Sequence, residues 1–343
     1  MIEQLTPRRL AIRIILCLAA LVAVMLACSL VGTHKVSLKA VIAGPGDAPG
    51  QNIDYEIFVR VRLPRVILAA LVGAALAASG VVLQAILRNP LAEPYILGIS
   101  SGAALGITIA VLSGISWKLW GGSPVAIMAF LFALGTVWLV WLIGHLAGGS
   151  TVTGLLFAGV VVNATFSAVI LLLTLLMNSD QLRSTTQWLM GSITEKDFST
   201  LFLSAIFVFT GIAGLFTLCQ KFNVLTFGAP EAQSLGVNPR AVTLAGFALA
   251  SLITAAAVGL SGLVGFVGLI IPHSVRLVFG PDHRQLLPLS ALFGAAFVVV
   301  CNTAARVIIA PAQLPVGVIT AVIGGPVFLL LLAGYSRKTG ALR

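Results

Sequence analysis

Charge is what this sequence has least of. Of 343 residues only 9% are Asp, Glu, Lys or Arg, where a soluble domain carries about a quarter. A chain so poor in charge cannot cover itself with water-facing side chains, and a soluble globule is excluded. Cysteine is scarce as well. Cys17, Cys28, Cys219 and Cys301 all lie inside apolar runs, with no CxxC spacing and no neighbouring His, which excludes a disulfide framework or a metal site built on them. His34, His145, His273 and His283 stand far apart and show no HExxH spacing, so no catalytic or metal-binding histidine pattern is present. The chain also lacks a GxxxxGK[ST] loop and has no Gly-Lys pair at all. It carries no P-loop nucleotide site of its own.

What is abundant is apolar length. Hydrophobic residues make up 59%, gathered in segments at about 10–31, 64–86, 95–113, 124–146, 152–177, 199–219, 241–259, 262–279, 288–305 and 316–333. Ten spans of about 20 residues need about 200 residues and leave about 140 for loops. The expectation is an all-α integral membrane protein of about ten helices, one transmembrane domain over residues 1–343 with an outer loop at 32–63. Arg8, Arg9 and Arg13 precede the first run, which is too long for a signal h-region and reads as a retained helix. The net charge of +10 is spread between apolar segments, not massed in a nucleic-acid patch. An even number of spans puts both termini on one side. With the termini inside, 11 of the 20 basic residues lie inside and 9 outside, a margin too narrow to fix orientation.

All ten acidic residues sit in loops or at helix ends. An ion-driven carrier buries a carboxylate, so the energy source is expected elsewhere. Gly98, Gly102 and Gly106 form a small-residue stripe, and Gly73 with Ala77 and Ala74 with Ala78 form small pairs. These read as close packing within one subunit. For Gln84, Asn163, Ser167 and Thr174, interhelical bonding and the lining of a pathway are equally open.

Three connections carry local information. In the loop at about 225–240, Pro230 suits the first turn of a short helix, Gly236 its stop, and Asn238-Pro239 the cap and opening of the next helix. A helix that short is not stable alone; it is either a docking element for a partner or a connecting turn. Arg62-Leu-Pro64-Arg65 places two guanidinium groups at a helix start, where they can snorkel to headgroups or pair with a partner's carboxylates. Arg306 is expected on the same side. Asn89-Pro90-Leu91-Ala92-Glu93-Pro94 marks a rigid break, a hinge, a gate or a turn.

Taken together, RLPR at 62–65, NPLAEP at 89–94, LGISSGAALG at 97–106, SLGV at 234–237, GFVGLIIPHSVR at 265–276, DHRQLLP at 282–288 and LPVGVITAVIGGPVF at 314–328 resemble the permease family of ATP-driven importers for iron–siderophore complexes, haem and vitamin B12. The resemblance runs from about Arg60 to Gly334. It implies a type II ABC importer permease fold and a homodimer around a central path in the cytoplasmic membrane, with both termini cytoplasmic. It implies as partners two ATP-binding-cassette ATPases, which hold the ATP and Mg, and an extracytoplasmic substrate-binding protein. No catalytic residue, cofactor or metal is expected in the chain itself, and no nucleic acid. By residue, the resemblance assigns Arg62, Arg65 and Arg306 to binding-protein docking. It assigns Asn89, Leu91, Val152 and Thr153 to a cytoplasmic gate, and Gly228, Glu231, Ala232, Leu235 and Gly236 to ATPase coupling. The sequence departs from the pattern where Ala229 stands in place of an acid after Gly228, Asn302 in place of a frequent aspartate, and Phe198 in place of a frequent tryptophan. An ion-coupled carrier and a membrane-embedded enzyme are the competing classes; the first lacks a buried carboxylate, the second a catalytic constellation.

Overall fold

The computed structural model describes residues 6–45, 51–115, 124–146, 152–194 and 198–340, without the side chains of 96–97, 152–153 and 331–340. Over these residues the chain is helical, with no strand. The helices are α1 (Pro7–Leu30), α2 (Leu38–Ile42), α3 (Ile53–Glu56), α4 (Leu63–Ile86), α5 (Ile99–Leu112), α6 (Pro124–Leu146), α7 (Val152–Thr174) and α8 (Ser179–Leu189). They continue as α9 (Phe198–Thr217), α10 (Cys219–Leu225), α11 (Ala229–Ser234), α12 (Pro239–Ser261), α13 (Val267–Phe279), α14 (His283–Val307) and α15 (Val316–Gly340). Each of the ten expected apolar segments is a helix. Seven are long and apolar enough to cross a membrane, while those at Ile99–Leu112, Val267–Phe279 and Val316–Leu330 are shorter.

α4 is the axis of the bundle. Nearly every one of its residues from Pro64 to Ile86 is buried, packed by α14, α12, α13 and α9. Lipid supplies no hydrophobic drive between helices, so close backbone approach has to hold them together. Gly73 of α4 faces Gly294 of α14, and a Cβ at Gly73 would overlap the Gly294 carbonyl. Gly80 faces the Gly268 carbonyl of α13 in the same way. The stripe on α5 serves the same end: Gly102 and Gly106 abut Thr136 and Met128 of α6. These small residues pack helices within one chain, as expected.

α5 and α13 are half-length, and the extended segments before them explain why. After α4 the chain turns at 87–93, and Pro94–Leu97 form a single tight turn that opens α5. After α12 the stretch 262–266 is non-helical and leads into α13. The two segments bond to each other: Glu93 Oε1 accepts from the Phe266 N–H at 2.6 Å, and Tyr95 Oη accepts from the Val264 N–H at 2.6 Å. Backbone freed from a helix inside a membrane bundle must find partners in the protein, and these two side chains supply them.

The loop expected at 32–63 holds α2, α3 and a π-helical turn at Ile57–Arg62 that runs straight into α4. Asn52 organises it. Its Nδ2 donates to the carbonyls of Ala40 (2.6 Å) and Gly44 (2.8 Å), while its Oδ1 caps α3 through the Tyr55 N–H at 3.1 Å.

Candidate functional site

One end of α4 gathers the three arginines singled out in the sequence. The structure brings Arg62, Arg65 and Arg306 together but does not present them to solvent: they are 4%, 6% and 8% exposed. Arg62 Nη1 donates to the carbonyls of Ser29 (3.1 Å) and Leu30 (2.8 Å), and Nη2 to that of His34. The last carbonyls of a helix lack intrahelical partners and favour a cation. α1 has no basic residue in its last turn, and Arg62 supplies the charge from the π-helical turn before α4. Arg65 donates to Asn302 Oδ1 (3.3 Å) and Gln313 Oε1 (2.9 Å). Arg306 reaches the Cys28 carbonyl and Thr303 Oγ1, both at 3.3 Å. Its Nε and the Asn302 Nδ2 are buried without a hydrogen-bond partner. Exposed cations at this end include Lys35, Lys39 and Arg60, the last paired with Glu56 at 2.7 Å.

The opposite end carries the loop at 225–240. Gly228 opens α11 at φ +134, with the Glu231 carboxylate folded back against it. Pro230 lies in the first turn. The helix stops as the residue pattern requires: the Gly236 N–H donates to the Gln233 carbonyl (2.9 Å) and the Val237 N–H to that of Ala232 (2.9 Å), a Schellman stop with Gly236 at φ +78. Asn238 Oδ1 then caps α12 by accepting from the Ala241 N–H at 3.2 Å. Ala232 is fully buried and anchors the turn, whereas Phe227 and Leu235 are exposed.

The NPLAEP turn lies at the same end, after α4. Asn89 Oδ1 accepts from the Leu91 N–H at 2.9 Å, an Asx turn that fixes the break; Leu91 is exposed. Val152 and Thr153 are the first two residues of α7, and their side chains lie outside the described residues. α7 packs against the Pro94–Leu97 turn that follows Asn89 and Leu91.

Glu93 lies in the turn, as expected of a loop acid, and is only partly exposed; burial pushes its carboxyl up to about 7 against the opposing pull of the Phe266 N–H bond. Sequence reading missed this clamp because nothing in NPLAEP says what the turn packs against. The polar helical residues divide. Gln84 is a packing group that donates to the carbonyls of Gly268 (3.2 Å) and Leu269 (3.3 Å), and Thr174 bonds its own helix through the Leu171 carbonyl. Asn163 and Ser167, one turn apart on α7, are exposed.

Among the described residues no group of three or more His, Cys, Asp or Glu could hold a metal ion. Against known proteins, the profile of the FecCD transport family matches residues 18–334. The chain belongs to that family. Among FecCD relatives, the hemin transport system permease protein HmuU of Yersinia pestis is 39% identical over 83% of this chain and 86% of its own length. The cobalamin import system permease protein BtuC of Halobacterium salinarum is 44% identical over 79% of this chain and 72% of its own. A solved inward-facing metal-chelate type ABC transporter superposes over 92% of this chain and 98% of its own, at 32% identity and a TM-score of 0.80. The FecCD assignment makes the chain a membrane transport subunit of the ABC importer class.

Proposed function

We propose that two copies of this chain form the path of an ABC importer for a large metal chelate, with an iron–siderophore complex as first choice and haem or cobalamin next. The observation that carries this reading is the loop at 225–240. A one-turn helix is rigidly stopped, anchored by buried Ala232, and offers exposed Phe227 and Leu235 at one end of the bundle. Exposed apolar side chains on so short and firmly stopped a helix suit it to seat in a partner, here one of two ATP-binding-cassette ATPases.

In this reading the α11 end is cytoplasmic, both termini lie there, and the membrane is the cytoplasmic (inner) one. A binding protein docks at the other end. Its carboxylates meet Lys35, Lys39 and Arg60 first, over the buried positive field of Arg62, Arg65 and Arg306, where Arg306 Nε and Asn302 Nδ2 have no partner. ATP closure moves the coupling loop, and the NPLAEP turn with the start of α7 opens and shuts the path. Asn163 and Ser167 on the exposed face of α7 line that path in the dimer. Reconstitution with the co-purifying ATPase tests the proposal: ATP-dependent uptake of a ferric siderophore, haemin or cobalamin into vesicles is expected, and a chain that moves none of them with ATP contradicts it.

A further inference from the structure

A half-open cavity of about 1210 Å³ lies at the α11 end, between α1, α4, α10, α13 and α14, and reaches the start of the coupling loop at Thr226 and Phe227. Arginines reach it from four elements: Arg9 and Arg13 of α1, Arg88 after α4, Arg276 of α13 and Arg284 of α14. Among the described lining residues the one carboxylate is Asp282. It is already held by Arg284 (2.6 Å) and by Asn223 Nδ2 (2.8 Å). Burial alone would raise the Asp282 carboxyl, but these bonds outweigh it and bring it down to about 2; it stays ionised and committed to its neighbours.

Two of the arginines are oriented by neutral groups. Arg13 Nη1 donates to Gln285 Oε1 at 2.5 Å, and Arg276 Nη2 to Gln84 Oε1 at 3.1 Å. An amide oxygen aims a guanidinium without cancelling its charge, and each guanidinium has five N–H donors. Arg88 adds a backbone observation. It sits at the αL stop of α4 with φ +47, its N–H donating to the Ala85 carbonyl (3.3 Å) and the Asn89 N–H to that of Gln84 (3.2 Å). Glycine is the unstrained residue there, and strain kept at a cavity wall points to use of the side chain. Beside the charges, the lining includes apolar residues that are themselves exposed: Phe227, Leu277 and Val278, at 72%, 62% and 74%.

We propose that this cavity binds a phosphate-bearing anion, whose source is either the headgroup of an acidic phospholipid or a free phosphate. Guanidinium groups pair bidentately with phosphate oxygens, and basic pockets between membrane helices on the cytoplasmic side suit anionic headgroups. The exposed Leu277 and Val278 are where acyl chains would lie. The assignment of a leaflet rests on the orientation proposed above; the anion site does not, and a protease-accessible tag at residue 343 reports orientation separately.

The test is native mass spectrometry of the full chain in detergent, titrated with dioleoylphosphatidylglycerol, with dioleoylphosphatidylcholine of the same chain length, and with inorganic pyrophosphate. Retention of phosphatidylglycerol well above phosphatidylcholine supports the site with a lipid as its source. Retention of pyrophosphate without lipid preference supports it with a free phosphate. In either case Arg13→Gln with Arg88→Gln should lower retention about tenfold or more, by a margin that shrinks with salt, while Lys35→Gln with Lys39→Gln at the other end should not. Arg88→Gly guards against a folding artefact: relieved of αL strain, it should melt no lower than the parent yet retain less anion. Equal retention of all three probes, or loss of ATPase binding in the arginine variants with anion retention intact, overturns the proposal and makes the cavity a protein-docking surface.

Discussion

The two ends of α4 are furnished with the same side chain and use it in opposite ways. At the Arg62 end, three guanidiniums are buried and their bonds go to carbonyl, amide and hydroxyl oxygens of the same chain. At the Gln84 end, arginines line a half-open cavity beside a loop with exposed apolar residues. A basic residue at a helix mouth therefore says little until its partners are known. Arg62 closes a helix, while Arg88 is held in a strained backbone at a cavity wall.

The contrast can be broken first at Arg62. Arg62→Ala leaves the carbonyls of Ser29, Leu30 and His34 without their donor and removes a buried side chain, and should destabilise the fold by about 2–3 kcal/mol. Arg88→Ala should cost close to nothing. Equal melting temperatures of the two variants in detergent would erase the difference between the ends.

Gly236→Val comes next. Nothing lies within 4 Å of a Cβ at Gly236, so the penalty is backbone strain alone, about 1–2 kcal/mol, confined to the coupling turn. The bundle should stay folded while transport per ATP falls.

Glu93 titrates at the same end of α4, in the turn before α5. Its carboxyl is raised from 4.5 to about 7, so the folded chain binds a proton that the unfolded chain has lost. This contribution is fully present below about pH 4.5 and fades as pH rises through 7. Glu93→Gln keeps an acceptor for the Phe266 N–H and cannot ionise, so its thermal stability should be flat between pH 5 and 8 where the parent declines. A parallel decline in both proteins would remove Glu93 from the account.

The smallest effect is expected at the exposed cations. Reversing Lys35, Lys39 and Arg60 to Glu should weaken binding-protein docking at low salt and matter little at high salt, where exposed charges are screened. Docking that is unchanged at low salt would move the contact elsewhere.

Local grammar was the most legible part of the fold. The ten apolar segments became helices, and Pro230, Gly236, Asn238 and Pro239 built the stop and cap that their residue types allow. α8 was missed although its signal was present: Asn178 and Gln181 form a capping box, overlooked because the helix is too polar to register as a span. What a residue meets across the bundle was not legible. The burial of Glu93 depends on a turn opposite the 262–266 segment, and the fate of Arg62 on where α1 ends. Both are long-range contacts that no local pattern encodes.

The most direct test of the account takes the chain and its ATPase reconstituted in vesicles, and reads chelate delivered per ATP hydrolysed for the parent and for Gly236→Val. That ratio should fall about tenfold or more while the complex still assembles and hydrolyses ATP. An unchanged ratio at equal assembly would contradict it, because the loop at 225–240 would then carry no movement between ATPase and path.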